Sequence, residues 1–325
     1  MNYIVLDLEW NQSPLGKEFE NKKLPFEIIE IGAVRLDENL RETGRFHKII
    51  KPRVYRDLHY KTKQIVNLTM DDLKKGEAFS MAIRSFLRWC GEEHMYCTWG
   101  NTDLLELQRN MKFFGAGDFY TKPMTYLDIQ KLCALLYEED KKVRRTLQYM
   151  VEALQLAEEL PFHSALNDAI YTARVMQNID FARVRGNYSI DCYNIPANKR
   201  SEIHAVFDSY VKYISCGHET KEELLLDKDV TAVECNVCGK RCRKKIRWFS
   251  NNTKTYHSLG ICPQHGFIKG KLRIKQAENE LYYAVRTTKV VDESGADKVR
   301  ERQALVREKR RERRKRLAAE KRMGN

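Results

Sequence analysis

Four acids and a histidine in this chain are spaced so that a fold could bring them to one place. Asp7 and Glu9 stand two apart in the otherwise apolar run YIVLDLE, and alternate residues of a strand share a face. Carboxylates side by side near a core repel each other and lose hydration. Unless the strand end is simply solvated, they need a cation or a cage of hydrogen bonds. Asp103 follows a strand-like segment at 95–99 and opens a helix expected over 102–114, where a first-turn acid also suits the helix dipole. His163 and Asp168 lie in FHSALNDA. An offset of five sets them about 140° apart around a helix, so they do not stack on one stripe. Pro161, however, puts His163 in the loop before that helix, free to lean over a site. Hard divalent cations take oxygen ligands, and a histidine of ordinary pKa ~6.5 exchanges a proton near neutral pH.

A second set is built of sulfur and nitrogen. CNVCG at 235–239 and CPQHG at 262–266 repeat one short pattern, a pair at i and i+3 closed by glycine. Two such turns offer Cys235, Cys238, Cys262 and His265, a tetrahedral set of the closed kind that holds one structural zinc ion and leaves no position for catalysis. Cys242, Cys216 and His218 are rival ligands. Cys90, Cys97, Cys133 and Cys192 sit in apolar segments and are expected to be small buried hydrophobes.

Charge is very unevenly placed. The chain of 325 residues has a formal charge of +13. Residues 298–325 hold 13 basic and 4 acidic groups (13 − 4 = +9), and residues 235–277 hold 11 basic groups and no acid. The remainder therefore carries 13 − 9 − 11 = −7. An acidic body with basic appendages suits a polyanionic partner. Within the acid-free stretch Lys240, Arg241, Arg243, Lys244, Lys245 and Arg247 are the expected nucleic-acid contacts, interleaved with aromatics that can stack on bases. No apolar run reaches the ~18 residues of a membrane span, so no membrane partner is expected. The start MNYIVLDLEW lacks a basic leader, and nine cysteines are an odd number, which together point to a reducing, cytoplasmic setting.

The elements that would position these residues follow from pattern. Strands are expected at 3–9, 26–36 and 46–51, and helices at 80–92 with Ser80 as N-cap, at 146–156 and at 164–179. This alternation makes residues 1–180 an α/β domain. A connector with a helix over 199–213 is expected at 181–225, a zinc-ribbon-like binding module with short strands at 226–290, and a basic helical or disordered tail at 291–325.

Taken together, the acids and the histidine resemble the DEDDh group of 3′-to-5′ exonucleases, which includes proofreading subunits of DNA polymerases, RNase T and oligoribonuclease. Asp7-Leu-Glu9 matches the first motif, and EIIEIGAV at 27–34 the second strand. Asp103 in TWGNTD matches the second motif, and His163 with Asp168 the third. QIVNLT at 64–69 resembles the turn after the third strand. The resemblance implies a ribonuclease H-like fold with a mixed central sheet flanked by helices. It implies two Mg²⁺ or Mn²⁺ ions held by Asp7, Glu9, Asp103 and Asp168, with Asp7 bridging, His163 as general base and nucleoside 5′-monophosphates as products. Paired ions can serve both ends of an in-line displacement. The expected partner is single-stranded RNA or DNA, RNA slightly favoured. Trp10 is either a stacking platform for the terminal base or a core aromatic. The competing expectation is a non-catalytic nucleic-acid-binding protein, or a processing or proofreading subunit, that uses the fold as a scaffold; the presence of all five residues weighs against it.

Overall fold

Strand β1 (Asn2–Asn11) sorts its side chains by parity. Tyr3 and Val5 point into one apolar cluster, and Ile4, Leu6 and Leu8 into another, so the strand is covered on both faces. The computed structural model describes residues 1–117, 120–252 and 254–323, which divide into two compact units, Met1–Tyr193 and Asn194–Asn325.

In the first unit β1 lies mid-sheet. It is followed by β2 (Glu27–Leu36), β3 (Glu42–Ile49), helices α1 (Tyr60–Ile65), α2 (Met70–Lys74) and α3 (Phe79–Cys90), then β4 (His94–Thr98) and α4 (Thr102–Phe113). Next come β5 (Met124–Asp128), α5 (Ile129–Tyr137), α6 (Leu147–Ala153), α7 (Ala165–Asn178), α8 (Phe181–Val184) and β6 (Ser189–Asp191). The strand order is β3-β2-β1-β4-β5-β6. β1 runs antiparallel to β2 and parallel to β4, a mixed sheet with α5 to α8 on one face and α3 and α4 on the other. This is the ribonuclease H-like arrangement the resemblance implied. Ser80 is not the cap of α3. Buried Phe79 already belongs to the helix, and Ala78 occupies the cap position with no side-chain bond.

The second unit contains β7 (Ile203–Phe207), β8 (Tyr210–Ile214), α9 (Lys221–Leu226), β9 (Arg243–Asn252), β10 (Thr255–Cys262), β11 (Gly266–Gln276), β12 (Tyr282–Val291) and α10 (Glu293–Met323). Its sheet has the order β7-β8-β12-β11-β10-β9 and is antiparallel throughout. The helix expected over 199–213 is instead a hairpin. IHAVF and YVKYI alternate with period two and are rich in β-branched residues, and Asp208-Ser209 form the two-residue turn between paired Phe207 and Tyr210. Residues 181–225 are therefore no connector, since they give β6 to the first sheet and the β7–β8 hairpin to the second. The strands expected to be short in 226–290 run for up to 11 residues.

Candidate active site and metal-ligand clusters

Parity along β1 decides where the acids go. Asp7 and Glu9 continue the Tyr3–Val5 face, on which α7 packs. α7 crosses β2 at Gly32, the residue paired with Asp7. A Cβ on Gly32 would lie 2.0 Å from the carbonyl carbon of Ala165, so only glycine lets the first turn of α7 come this close. That contact brings Asp168 over the strand. Asp103 arrives from the first turn of α4, just after β4, the parallel neighbour of β1.

The ligand atoms of Glu9, His163 and Asp168 all lie within 4.8 Å of one another. His163 is exposed at φ 66°, a left-handed conformation unusual for a side-chain-bearing residue. Its amide donates to Asp168 Oδ2 at 3.2 Å. The loop before α7 is fastened on several sides: Asn167 Nδ2 donates to the Pro161 carbonyl at 2.8 Å, Tyr171 Oη donates to the Leu160 carbonyl at 2.7 Å, and Phe162 stacks on Tyr171.

Burial first, then the charges of Asp103, Asp168, Glu9 and Glu30, holds the Asp7 carboxyl well above its ordinary range. Burial with Asp168, Glu30 and Asp103 pushes Glu9 up to about 8. Asp103 rises to about 7, burial outweighing backbone hydrogen bonds at Asp103 and Leu8. Asp168 rises to about 6, burial outweighing the His163 amide. Asp168 Oδ1 and Glu30 Oε2 are buried with no hydrogen-bond partner. Crowded carboxylates with orphaned oxygens are neutralised by protons or by a cation, and oxygens with one imidazole fit a hard divalent ion.

Glu30 is a participant that its sequence setting hides. It is 2% exposed and faces Glu9 across the β1–β2 ladder. Its Oε1 accepts from Ser164 Oγ at 3.0 Å and bonds His47 Nε2 at 2.7 Å. The available signal was an acid inside the apolar run EIIEIG, two residues before the glycine on which α7 sits.

The RNase T exonuclease family model matches residues 4–176, more than half of the chain. The chain belongs to the RNase T exonuclease family. The matched model is that of an exonuclease domain. Among solved structures, the nuclease domain of 3′hExo, a DEDDh family member bound to rAMP, is 17% identical at a TM-score of 0.48, covering 58% of this chain and 96% of that one. The zinc-bound E. coli ExoI–ssDNA complex is 14% identical at a TM-score of 0.46, covering 79% and 54% respectively. No curated protein matches the chain by sequence.

In this exonuclease a second cluster lies in the other unit. The ligand atoms of Cys235, Cys238, Cys262 and His265 lie within 4.8 Å of one another. Gly239 and Gly266, which close the two turns, have φ of 70° and 76°, so each turn needs glycine there. The Cys262 thiol falls to about 6 because burial is outweighed by the amides of Gln264 and His265 and by the His265 ring. Three thiols and an imidazole are compatible with a zinc ion. The rivals lie elsewhere: His218 faces Asp227 at 3.6 Å, and the Cys216 amide donates to Glu202. Cys242 neighbours the cluster without joining it; burial and the other thiols push it up to about 12. Buried Arg286 ties the segment leading into the first turn to β12 through the Asp229 and Ala232 carbonyls and Glu234.

The expected nucleic-acid contacts divide. Lys240, Arg243, Lys244, Lys245 and Arg247 are exposed. Arg241 is exposed too, but it pairs with Asp229 and Glu234. Trp10 lies on the even face of β1, its half-buried ring packed on Phe26 at the edge of the α3–α4 core. No described helix is long and apolar enough to cross a membrane.

Proposed function

We propose that the protein removes nucleotides from the 3′ end of single-stranded nucleic acid, RNA slightly favoured over DNA, and releases nucleoside 5′-monophosphates. The convergence of Glu9, His163 and Asp168 within 4.8 Å supports this reading, beside Asp7 and Asp103, whose charges act on the same site. Asp7, Glu9, Asp103 and Asp168 would hold two Mg²⁺ or Mn²⁺ ions, which supply charge stabilisation at the attacking and leaving oxygens. His163, exposed beside Asp168, takes the proton of the attacking water. The Asp168 carboxylate accepts from the His163 amide and so helps to hold the loop that carries the imidazole. Cys235, Cys238, Cys262 and His265 would hold one structural Zn²⁺, and the exposed Lys240, Arg243, Lys244, Lys245 and Arg247 hold the strand by its phosphates.

A labelled single strand incubated with Mg²⁺ or Mn²⁺, with and without chelator, tests this directly. The expected result is a metal-dependent ladder shortening from the 3′ end, absent in Asp7→Ala. A gel shift with no shortening under any metal condition would instead make the protein a binder. Matched RNA and DNA strands in the same assay give the preference.

A further inference from the structure

Helix α10 changes character at Val306. Up to that point it is docked on its own sheet. Ala296, Val299 and Val306 are buried against Phe249 and Leu259, Arg300 lies over the Phe267 ring, and Arg302 bonds His257. Residues 307–317 are all exposed and read REKRRERRKRL, eight cations to two acids. Four pairs of cations, Arg307–Arg311, Lys309–Arg313, Arg310–Arg314 and Arg311–Lys315, fall at i,i+4, each costing a free helix about 0.2–0.5 kcal/mol. No apolar burial offsets this repulsion.

The charges are also sorted by side. At about 100° per residue, Arg310, Arg313 and Arg314 lie within about 80° of the Val306 direction, whereas Glu308 and Glu312 lie at least about 120° away. The side of the helix that met the sheet thus continues beyond it as an arginine stripe, and Arg310 still reaches back to the Ser250 carbonyl at 2.9 Å.

We propose that residues 307–317 of α10 form a docking surface for the phosphate backbone of a nucleic acid, separate from the basic residues beside the cysteine cluster. Six of the eight cations are arginine, whose planar fork matches phosphate oxygens. A membrane-surface helix needs an apolar face of several large residues, and this stretch offers Leu317 alone. The inference rests on the exonuclease reading for the identity of the polyanion, but not for its measurement.

The test compares full-length protein with the triple variants Arg310→Gln/Arg313→Gln/Arg314→Gln and Arg310→Lys/Arg313→Lys/Arg314→Lys. Binding to a long labelled single strand is followed as a function of salt, together with cleavage of a very short oligomer. In the glutamine variant the slope of log K against log salt should flatten by roughly two to three, at about 0.7–0.9 per phosphate contact. The lysine variant should keep most of it, and cleavage of the short oligomer should not change. An unchanged slope in the glutamine variant overturns the proposal. So does arginine-dependent binding to phosphatidylserine vesicles with strand affinity unaltered, which would make the partner a membrane. Wild-type protein that cleaves nothing would remove the proposed function, while a flattened slope would still establish the docking surface.

Discussion

At the scale of single residues, the site is a set of carboxylates that the fold crowds against their own interest. Asp7→Ala or Asp168→Ala should abolish cleavage while strand binding by gel shift survives. His163→Ala should lower kcat by roughly 10²–10⁴-fold, the usual scale for a general base. Glu30→Gln removes the charge behind Glu9 while keeping the size of the side chain. Because Glu30 fixes Ser164, next to His163, Mn²⁺ affinity or kcat should fall by about 10–100-fold; calorimetric Mn²⁺ titration and turnover equal to wild type would leave Glu30 a packing residue. The raised carboxyls also set a pH dependence. Metal-free folded protein holds protons that the unfolded chain has lost above its ordinary carboxylate pKa of about 4. Stability therefore falls as pH rises from there through about 6, 7 and 8, the values for Asp168, Asp103 and Glu9. Added Mg²⁺ or Mn²⁺ should raise Tm little at pH 5 and increasingly toward pH 8. A metal-induced Tm shift that is flat across this range would contradict the shared site.

At the scale of elements, the site depends on one close crossing. Gly32→Ala puts a methyl group into the backbone of Ala165, and overpacking of this kind costs about 1–3 kcal/mol or displaces the helix. Thermal melts should show the loss, with activity falling further than stability because α7 carries Asp168. What the sequence disclosed of this region follows its periodicity. Asp7 and Glu9 stood out because acids interrupt a continuous apolar run, and β1, β2, α4 and α7 had apolar patterns long enough to read. The β7–β8 hairpin did not. Its strands have five residues each, and mixed polar positions fit helical spacing equally well until a tertiary partner, β12, selects the extended form. Glu30 was hidden for a different reason: one strand gives no hint that Ser164, 134 residues on, will donate to its carboxylate.

At the scale of the whole molecule, the chain packs as two compact units, and the proposed function assigns reaction to the first and retention of the strand to the second. Stripping metal from the cysteine cluster with a strong chelator, then restoring Mg²⁺ or Mn²⁺ alone, should weaken long-strand binding more than turnover of a very short oligomer. Equal losses on both substrates would assign the cluster to general stability. Arg286 should limit the damage, because its bonds to Asp229 and Ala232 hold one arm of the cluster without any metal. Near-ultraviolet circular dichroism of the stripped protein should then retain much of its signal. The parity of β1 has a consequence for how such a chain can diverge. Since odd residues carry the chemistry and even residues carry a separate apolar layer, inserting one amino acid between Val5 and Asp7 would rotate both acids into the wrong layer. This stretch can exchange side chains but cannot change length, and a scan of single-codon insertions across it should leave no active survivors while substitutions at Ile4 or Leu6 to similar apolar residues persist.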